Sequence, residues 1–395
     1  MIVGIVGYRF DHYAYIRNIV GIVPGIEYRK AKDLFARVNA GARTLNRFTK
    51  REIISTFDLN NQFYDFNLNK VDLLHLFNGI SYGHIPWVST FETILPRFRN
   101  VVQRTHGSSP GFVSEWKLRK AFEALASNTC KQIIALSNCT VNIQRELLAE
   151  FSTYGEKIER KLVVMHPPQD VLVSEFADKQ IDLHGRIKFM FVGNAFFRKG
   201  GREIIDTISM LRDQYHYDIE LTIVSDLRID GYAAKVNPEE IQRTAAFIQG
   251  NREWINYFPQ LPNSEVLDMM KKAHIDLLPT YADTYGYSIL EFQAAGCPVI
   301  TTNVRSLPEI NDNDKGWVIE VPKNRMGEAI YSTDTDRMVI REAIRKGLEK
   351  VVHEIFADKS IIPTKSEKAI LSIKTSHSRE GFSSRMKNIY LNAIS

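Results

Sequence analysis

Short apolar runs, each separated from the next by stretches of helical periodicity, recur along this chain in two series, and that alternation narrows the possible folds more than any other feature. In the first half the runs lie at 1–7, 72–77, 87–91, 132–136 and 162–165, with helical spacing over 115–130 and 140–151. In the second half they lie at 187–192, 219–225, 254–258, 275–279 and 298–302, and helices are predicted over 201–215, 264–273 and 288–295. Apolar runs this short, bounded by helices, read as parallel strands buried on both faces within βαβ units. A chain of 395 residues is also too long for one ordinary core. The predicted class is therefore α/β, with two Rossmann-like doubly wound domains facing a cleft.

Pro167 and Pro168 open a polar stretch that marks the boundary. The reading assigns 1–170 to an N-terminal domain, 171–185 to a linker, 186–375 to a C-terminal domain and 376–395 to a helix able to cross back to the N-terminal domain. Ligands of open parallel sheets bind beyond the carboxyl ends of the strands, so the loops there are the expected lining of the active site.

Composition excludes several classes. The three cysteines, Cys130, Cys139 and Cys297, form no CxxC and fit a reducing compartment without disulfides or structural zinc. The first apolar run lacks a basic flank and breaks at Gly7, so it reads as a strand and not as a signal peptide. No apolar stretch reaches the ~20 residues of a membrane span. The expected location is cytoplasmic, free or peripheral on a membrane face. The net charge of +5 is uneven, with 22 Lys and Arg against 15 Asp and Glu over 1–170. A basic half invites an anionic partner such as a membrane surface. No nucleic-acid motif is present, and a nucleic-acid partner is not expected. Residues 30–48 place Leu34, Phe35, Val38, Ala42, Leu45 and Phe48 at helical spacing opposite Lys30, Lys32, Arg37, Arg43 and Arg47. That pattern suits a surface helix packed on its own core or one lying on an anionic bilayer, with core packing the expectation.

The segment 278–303, LPTYADTYGYSILEFQAAGCPVITTN, carries the chemistry. A strand ends near Pro279, a loop holds Asp283 and Gly286, and a helix starts near Ser288 with Glu291 one turn in. Such a turn aims backbone N–H groups and the positive helix end at the loop, which suits a diphosphate. Asp283, Tyr285, Gly286, Tyr287, Ser288 and Glu291 are thus candidate ligand contacts. A second segment, FVGNAFFRKGG at 191–201, places Gly193, Asn194, Arg198 and Lys199 between a strand and a helix, where cations could neutralise a leaving diphosphate.

The first segment resembles the E-x7-E signature of retaining glycosyltransferases of the GT-B fold, above all family 4. Asp283 stands at the first acidic position, where the family has Glu, and Glu291 matches the second. GCPVITTN matches the closing strand, and the likeness extends over most of 185–320, including Glu309. In the second segment Lys199 fits the family lysine, while Asn194 occupies the position of the usual Arg. The N-terminal half is similar more faintly. Glu92, ending the strand at 87–91, stands where many members carry a His, and His106 is the nearest later His; which of the two lines the reacting centre stays open. The resemblance implies transfer of a sugar, with retention, from a UDP- or GDP-sugar to a saccharide or lipid-linked acceptor. It implies no metal and no cofactor beyond that donor. Lys199 would meet the diphosphate, Glu291 the ribose, Asp283 the donor sugar, and Glu92 or His106 the sugar or acceptor. Surface polysaccharide or glycolipid synthesis would suit such an enzyme. The same fold hosts nucleotide-sugar epimerases, and the departures at Asn194 and Asp283 also permit a binding scaffold with impaired catalysis.

Overall fold

The computed structural model describes residues 1–7, 14–105, 115–150 and 152–395. The chain divides into two units, the first made of Met1–Pro168 with Ser378–Ser395 and the second of Gln169–His377.

Unit 1 is built on a six-stranded parallel sheet in the order β2-β1-β4-β6-β7-β8. Its strands are β1 (Ile2–Val6), β2 (Glu27–Lys30), β4 (Leu73–Phe77), β6 (Trp87–Phe91), β7 (Cys130–Ala135) and β8 (Leu162–Val164), while β3 (Gln62–Phe63) and β5 (Ile80–Ser81) form a separate parallel pair. Every residue of β4 and β6 is buried, as expected for strands covered on both faces. One polar side chain, His75, lies inside β4. Its Nδ1 meets the Tyr390 hydroxyl at 2.7 Å and its Nε2 meets Thr90 Oγ1 at 2.8 Å. Burial pushes this imidazole down to about 3, so it is neutral and structural at pH 7. Tyr390 belongs to the closing helix Arg379–Ile394, which buries Phe382, Met386, Tyr390 and Ala393. That apolar face explains why the end of the chain returns to unit 1.

Unit 2 repeats the scheme with the order β11-β10-β9-β12-β13-β14. Its strands are β9 (Ile187–Val192), β10 (Ile219–Val224), β11 (Ile255–Phe258), β12 (Ile275–Leu278), β13 (Val299–Thr302) and β14 (Trp317–Ile319), all in parallel register. The helix Gly201–Tyr215 turns one face inward through Ile204, Ile205, Ile208 and Leu211, and the sheet carries the aromatic core of Phe189 and Phe191.

Residues 171–185, expected to be a linker, pack into unit 2. The N–H groups of Leu172 and Val173 donate to Ala294 O at 2.9 and 3.1 Å. Lys179, 8% exposed, donates from Nζ to Ala295 O at 2.7 Å. A lysine on the last carbonyls of the helix Tyr287–Ala294 satisfies groups that a helix end leaves open and complements its negative pole.

Candidate active site

Unit 2 has one topological switch point. From β9 the chain proceeds outward to β10 and β11, then returns to place β12 on the other side of β9. The loops leaving β9 and β12 therefore diverge from adjacent strand ends, the crevice in which open α/β sheets bind ligands.

The loop after β9 is anchored from below by Phe196 and Phe197, which are buried. Its backbone is tied to the loop after β12, because Tyr281 N donates to Arg198 O at 2.9 Å and Thr280 Oγ1 donates to the same oxygen at 3.2 Å. Between the two loops Lys199 Nζ donates to Asp283 Oδ2 at 2.6 Å. These side chains are 15% and 13% exposed, so the pair is largely withdrawn from water. Gly193 makes room for it: a Cβ there would stand 2.7 Å from Lys199 Cδ. The other oxygen of Asp283, Oδ1, accepts from Gly286 N at 3.1 Å and Tyr285 N at 3.3 Å. Burial opposes ionisation of Asp283, but the Lys199 ammonium, the Tyr285 amide and the Arg198 charge together outweigh it and hold the carboxyl below the usual carboxylate range.

Gly286 is the N-cap of the helix Tyr287–Ala294, at φ +86°. A side chain there would also collide with Leu307, its Cβ 2.7 Å from Leu307 Cδ2. From β13's exit Ser306 Oγ donates to Thr284 O at 2.9 Å and to Tyr285 O at 3.1 Å, which fixes the loop from a third strand end. The positive end of this helix thus opens beside Lys199, with Ser288 and Glu291 half-buried on its first two turns.

The candidates do not all occupy one place. Gly193, Lys199, Asp283 and Gly286 converge at the switch point. Tyr285 is buried and its ring lies against Tyr287 at 5.1 Å between centroids, with Tyr287 itself half-buried. Burial, with the Glu309 carboxylate adding to it, pushes the Tyr285 phenol well up, so Tyr285 forms a wall and not an acid. Asn194 is exposed on its loop. Arg198 lies over the Tyr232 ring at 6.0 Å. Glu92 belongs to unit 1, where its N–H donates to Asn78 Oδ1 at 3.0 Å, and Asn78 Nδ2 donates back to its carboxylate at 3.3 Å. His106 lies outside the described residues.

Sequence reasoning missed several groups. Arg305 and Glu328 form an ion pair whose side chains are 2% and 3% exposed, and no motif announces it. Asp276 in β12 is buried, and neither carboxyl oxygen has a hydrogen-bond partner among the described residues. Burial lifts its carboxyl well above the usual range, with the Lys199 ammonium acting the other way. Its signal was visible: a lone carboxylate inside the apolar run IDLLP. In unit 1 a polar cavity of about 340 Å³ lies by the strand end at Gly7, lined by Lys30, Asp33, Asn39, Arg43 and Asn60 among others. Burial pushes Asp33 up to about 6, against the Tyr64 and Phe35 N–H groups that favour its charge.

Residues 173–346 match the model of a family described as glycosyl transferases group 1. That match lies within unit 2 and covers most of it. The matched region contains the Lys199–Asp283 pair, the switch point and the helix Tyr287–Ala294. A D-inositol 3-phosphate glycosyltransferase of Streptomyces scabiei is 20% identical over 257 residues, covering 63% of this chain and 56% of that one. The chain spans about half the length of the curated relatives it matches. Among solved structures, Anabaena HepE in complex with UDP superposes with a TM-score of 0.58 at 10% identity, covering 98% of each chain. WaaG, a glycosyltransferase involved in lipopolysaccharide biosynthesis, gives 0.59 at 16% identity over 98% of this chain and 99% of that one. The chain has the GT-B fold of these glycosyltransferases, beyond the matched domain.

Proposed function

We propose that this protein moves a hexose from a UDP- or GDP-sugar to an acceptor hydroxyl, with retention of anomeric configuration. The observation that carries the reading is the Lys199–Asp283 pair, held across adjacent strand ends beside the positive pole of the helix Tyr287–Ala294. A departing diphosphate concentrates negative charge, and donors already aimed at that place lower the barrier without reorganising. Lys199 would supply the cation and the helix its first-turn amides, with Arg198 adding charge nearby. Glu291 would accept from the ribose hydroxyls. Asp283 would steer Lys199 and shape the loop, with remaining acceptor capacity for a sugar hydroxyl. Asn194 would offer a neutral donor to the phosphates in place of a guanidinium.

The UDP held by the Anabaena protein supports a nucleoside diphosphate at this fold's site. The names of the Streptomyces and lipopolysaccharide enzymes support a phosphorylated, saccharide or lipid-linked acceptor in surface polysaccharide or glycolipid synthesis. The polar cavity of unit 1 suits a hydroxylated acceptor, with Glu92 as a further polar group at a strand end. The location read from these partners is cytoplasmic, including the inner membrane surface.

The test has two stages. Thermal shift with UDP, GDP and ADP should show stabilisation by one of them, since a ligand that binds only the folded state raises its stability by mass action. Donor turnover is then followed with and without candidate acceptors. Glu291→Gln should weaken nucleotide binding about tenfold, the loss of roughly one charge-assisted hydrogen bond. Unchanged affinity and turnover in that variant would sink the site assignment. Nucleotide binding without transfer would instead identify a scaffold, and turnover of the donor alone to an isomer would identify an epimerase.

A further inference from the structure

Of the apolar residues of helix Leu34–Thr49 expected to pack on the core, Ala42 is buried and Leu34 and Phe35 are half-buried, whereas Val38, Leu45 and Phe48 are exposed. The helix's buried residues are Asn39 and Ala42, on one flank. A stripe through Leu34, Val38, Gly41, Leu45 and Phe48, spaced at alternating four and three residues, runs along a different side, about 80–140° around the helix from Ala42 and Asn39. Phe48 is 88% exposed, Val38 45% and Leu45 41%. Nothing lies within 4 Å of a Cβ built on Gly41. The patch continues beyond both helix ends. Ile53 is 61% exposed and is held in place by its N–H on Asn46 Oδ1 at 2.9 Å. Leu68 is 68% exposed on a loop tied to the helix start, where Leu34 N donates to Tyr64 O at 2.8 Å.

The charge around this stripe has one sign. Residues 28–51 hold eight Lys and Arg against one carboxylate, Asp33. The flanking acids are already engaged, Glu27 with Arg29 at 2.6 Å and Glu52 with Arg99 at 2.8 Å. Arg37, Arg43 and Arg47 form no ion pair among the described residues. A surface helix with exposed bulky apolar groups beside unpaired cations matches the boundary of an anionic bilayer, where apolar side chains enter the acyl edge and arginine stems reach up to the phosphates. Two copies of this chain meeting through the stripe would bring like charges together, which disfavours self-association. A nucleic acid would use the cations and leave Phe48, Leu45 and Val38 unused. The helix has 16 residues, short of the ~20 of a span, so it lies along the surface.

We infer that the Leu34–Thr49 face of unit 1 docks on an anionic lipid surface, with Val38, Leu45 and Phe48 inserted and Arg37 and Arg47 on the headgroups. This inference is independent of the donor site. The test is co-sedimentation of the full chain with vesicles of phosphatidylglycerol and phosphatidylcholine at equal parts, against phosphatidylcholine alone, at 50 and 500 mM salt. Binding should require the anionic lipid and fall at least tenfold at high salt. It should also fall at least tenfold in Leu45→Ser/Phe48→Ser, and separately in Arg37→Gln/Arg47→Gln. Both variants should keep the unfolding temperature of the parent, because none of the four side chains is buried. Three results would overturn the inference: parent protein left in the supernatant with anionic vesicles at low salt, variants that sediment like the parent, or a self-association or RNA binding that the serine variant abolishes while vesicle binding is absent.

Discussion

Replacing Lys199 with Met keeps the length of the side chain and removes its charge, which isolates what the ammonium does for Asp283. At 2.6 Å the gross attraction is about 6 kcal/mol for an effective dielectric near 20. Breaking a buried pair from one side costs about 3–5 kcal/mol, because the remaining charge stays out of water without its partner. Here the low end applies: Asp283 Oδ1 keeps the Tyr285 and Gly286 amides, and 13% of the side chain still reaches solvent. We expect Lys199→Met to destabilise unit 2 by about 3 kcal/mol, a Tm lower by roughly 6–12 °C for a unit of this size. The second change, Asp283→Asn, leaves an oxygen for the same two amides and removes the stranded charge. The double variant should therefore recover about half of the loss, a coupling of roughly 1.5 kcal/mol. The pH dependence has a defined sign. The folded Asp283 is held below the usual carboxylate range, so the pair's contribution is present above that range and is lost as pH falls through it. In Lys199→Met burial dominates and the carboxyl rises, so the deficit grows with pH. Urea unfolding monitored by circular dichroism at pH 4.5, 6 and 8 reads both effects. Single-variant losses that simply add, within about 0.5 kcal/mol, would refute the claim that the two side chains act as one unit.

Other outcomes follow from single groups. Burial holds the His75 imidazole near 3, against its ordinary 6.5, so the unfolded chain binds the extra proton between those values. Stability of unit 1 should be complete above about pH 6.5 and fall by up to about 5 kcal/mol toward pH 3, and His75→Gln should flatten that slope in urea midpoints. Asp276 shifts the opposite way: its raised carboxyl stabilises fully below the ordinary carboxylate range and loses that contribution as pH climbs. Asp276→Asn should therefore match the parent near pH 4 and exceed it at pH 8, and a variant less stable at pH 8 would show that the carboxyl is satisfied. Gly286→Ala places a Cβ at φ +86° and 2.7 Å from Leu307 Cδ2, so thermal unfolding should show a loss of about 2 kcal/mol and the nucleotide shift should shrink.

Much of the fold was legible because parallel strands buried on both faces read as unbroken apolar runs. The run 187–192 is β9, and the helix read over 201–215 is Gly201–Tyr215. Where burial is partial the signal faded. Edge strand β2, EYRK, is exposed at three of its four positions and shows neither a run nor an alternation. The helix Leu34–Thr49 runs unbroken through Gly41, and nothing lies within 4 Å of a Cβ built there. Residues 171–185 read as a linker because their anchoring is polar: backbone N–H groups on Ala294 O and Lys179 on the helix end leave no apolar periodicity behind.

The candidate site shows the same division more sharply. Lys199 and Asp283 were each visible from local motifs, but their partnership spans 84 positions and exists only because β12 is inserted beside β9. Topology converts two separate loop signals into one ion pair, and it alters the role expected for Asp283. A carboxylate offers about four acceptor positions. Asp283 uses three on Lys199, Tyr285 and Gly286, which leaves about one for a sugar hydroxyl. The short aspartate stem suits this, because it keeps one oxygen over its own loop amides while the other reaches the next loop. With Asn194 uncharged and exposed, and Arg198 drawn over Tyr232, the proposed site relies on Lys199, whose ammonium Asp283 already holds. A diphosphate arriving there must share Lys199 with Asp283. The proposed donor affinity thus depends on the difference between two anionic partners of one lysine, and the loop that sets Asp283 in place tunes that difference.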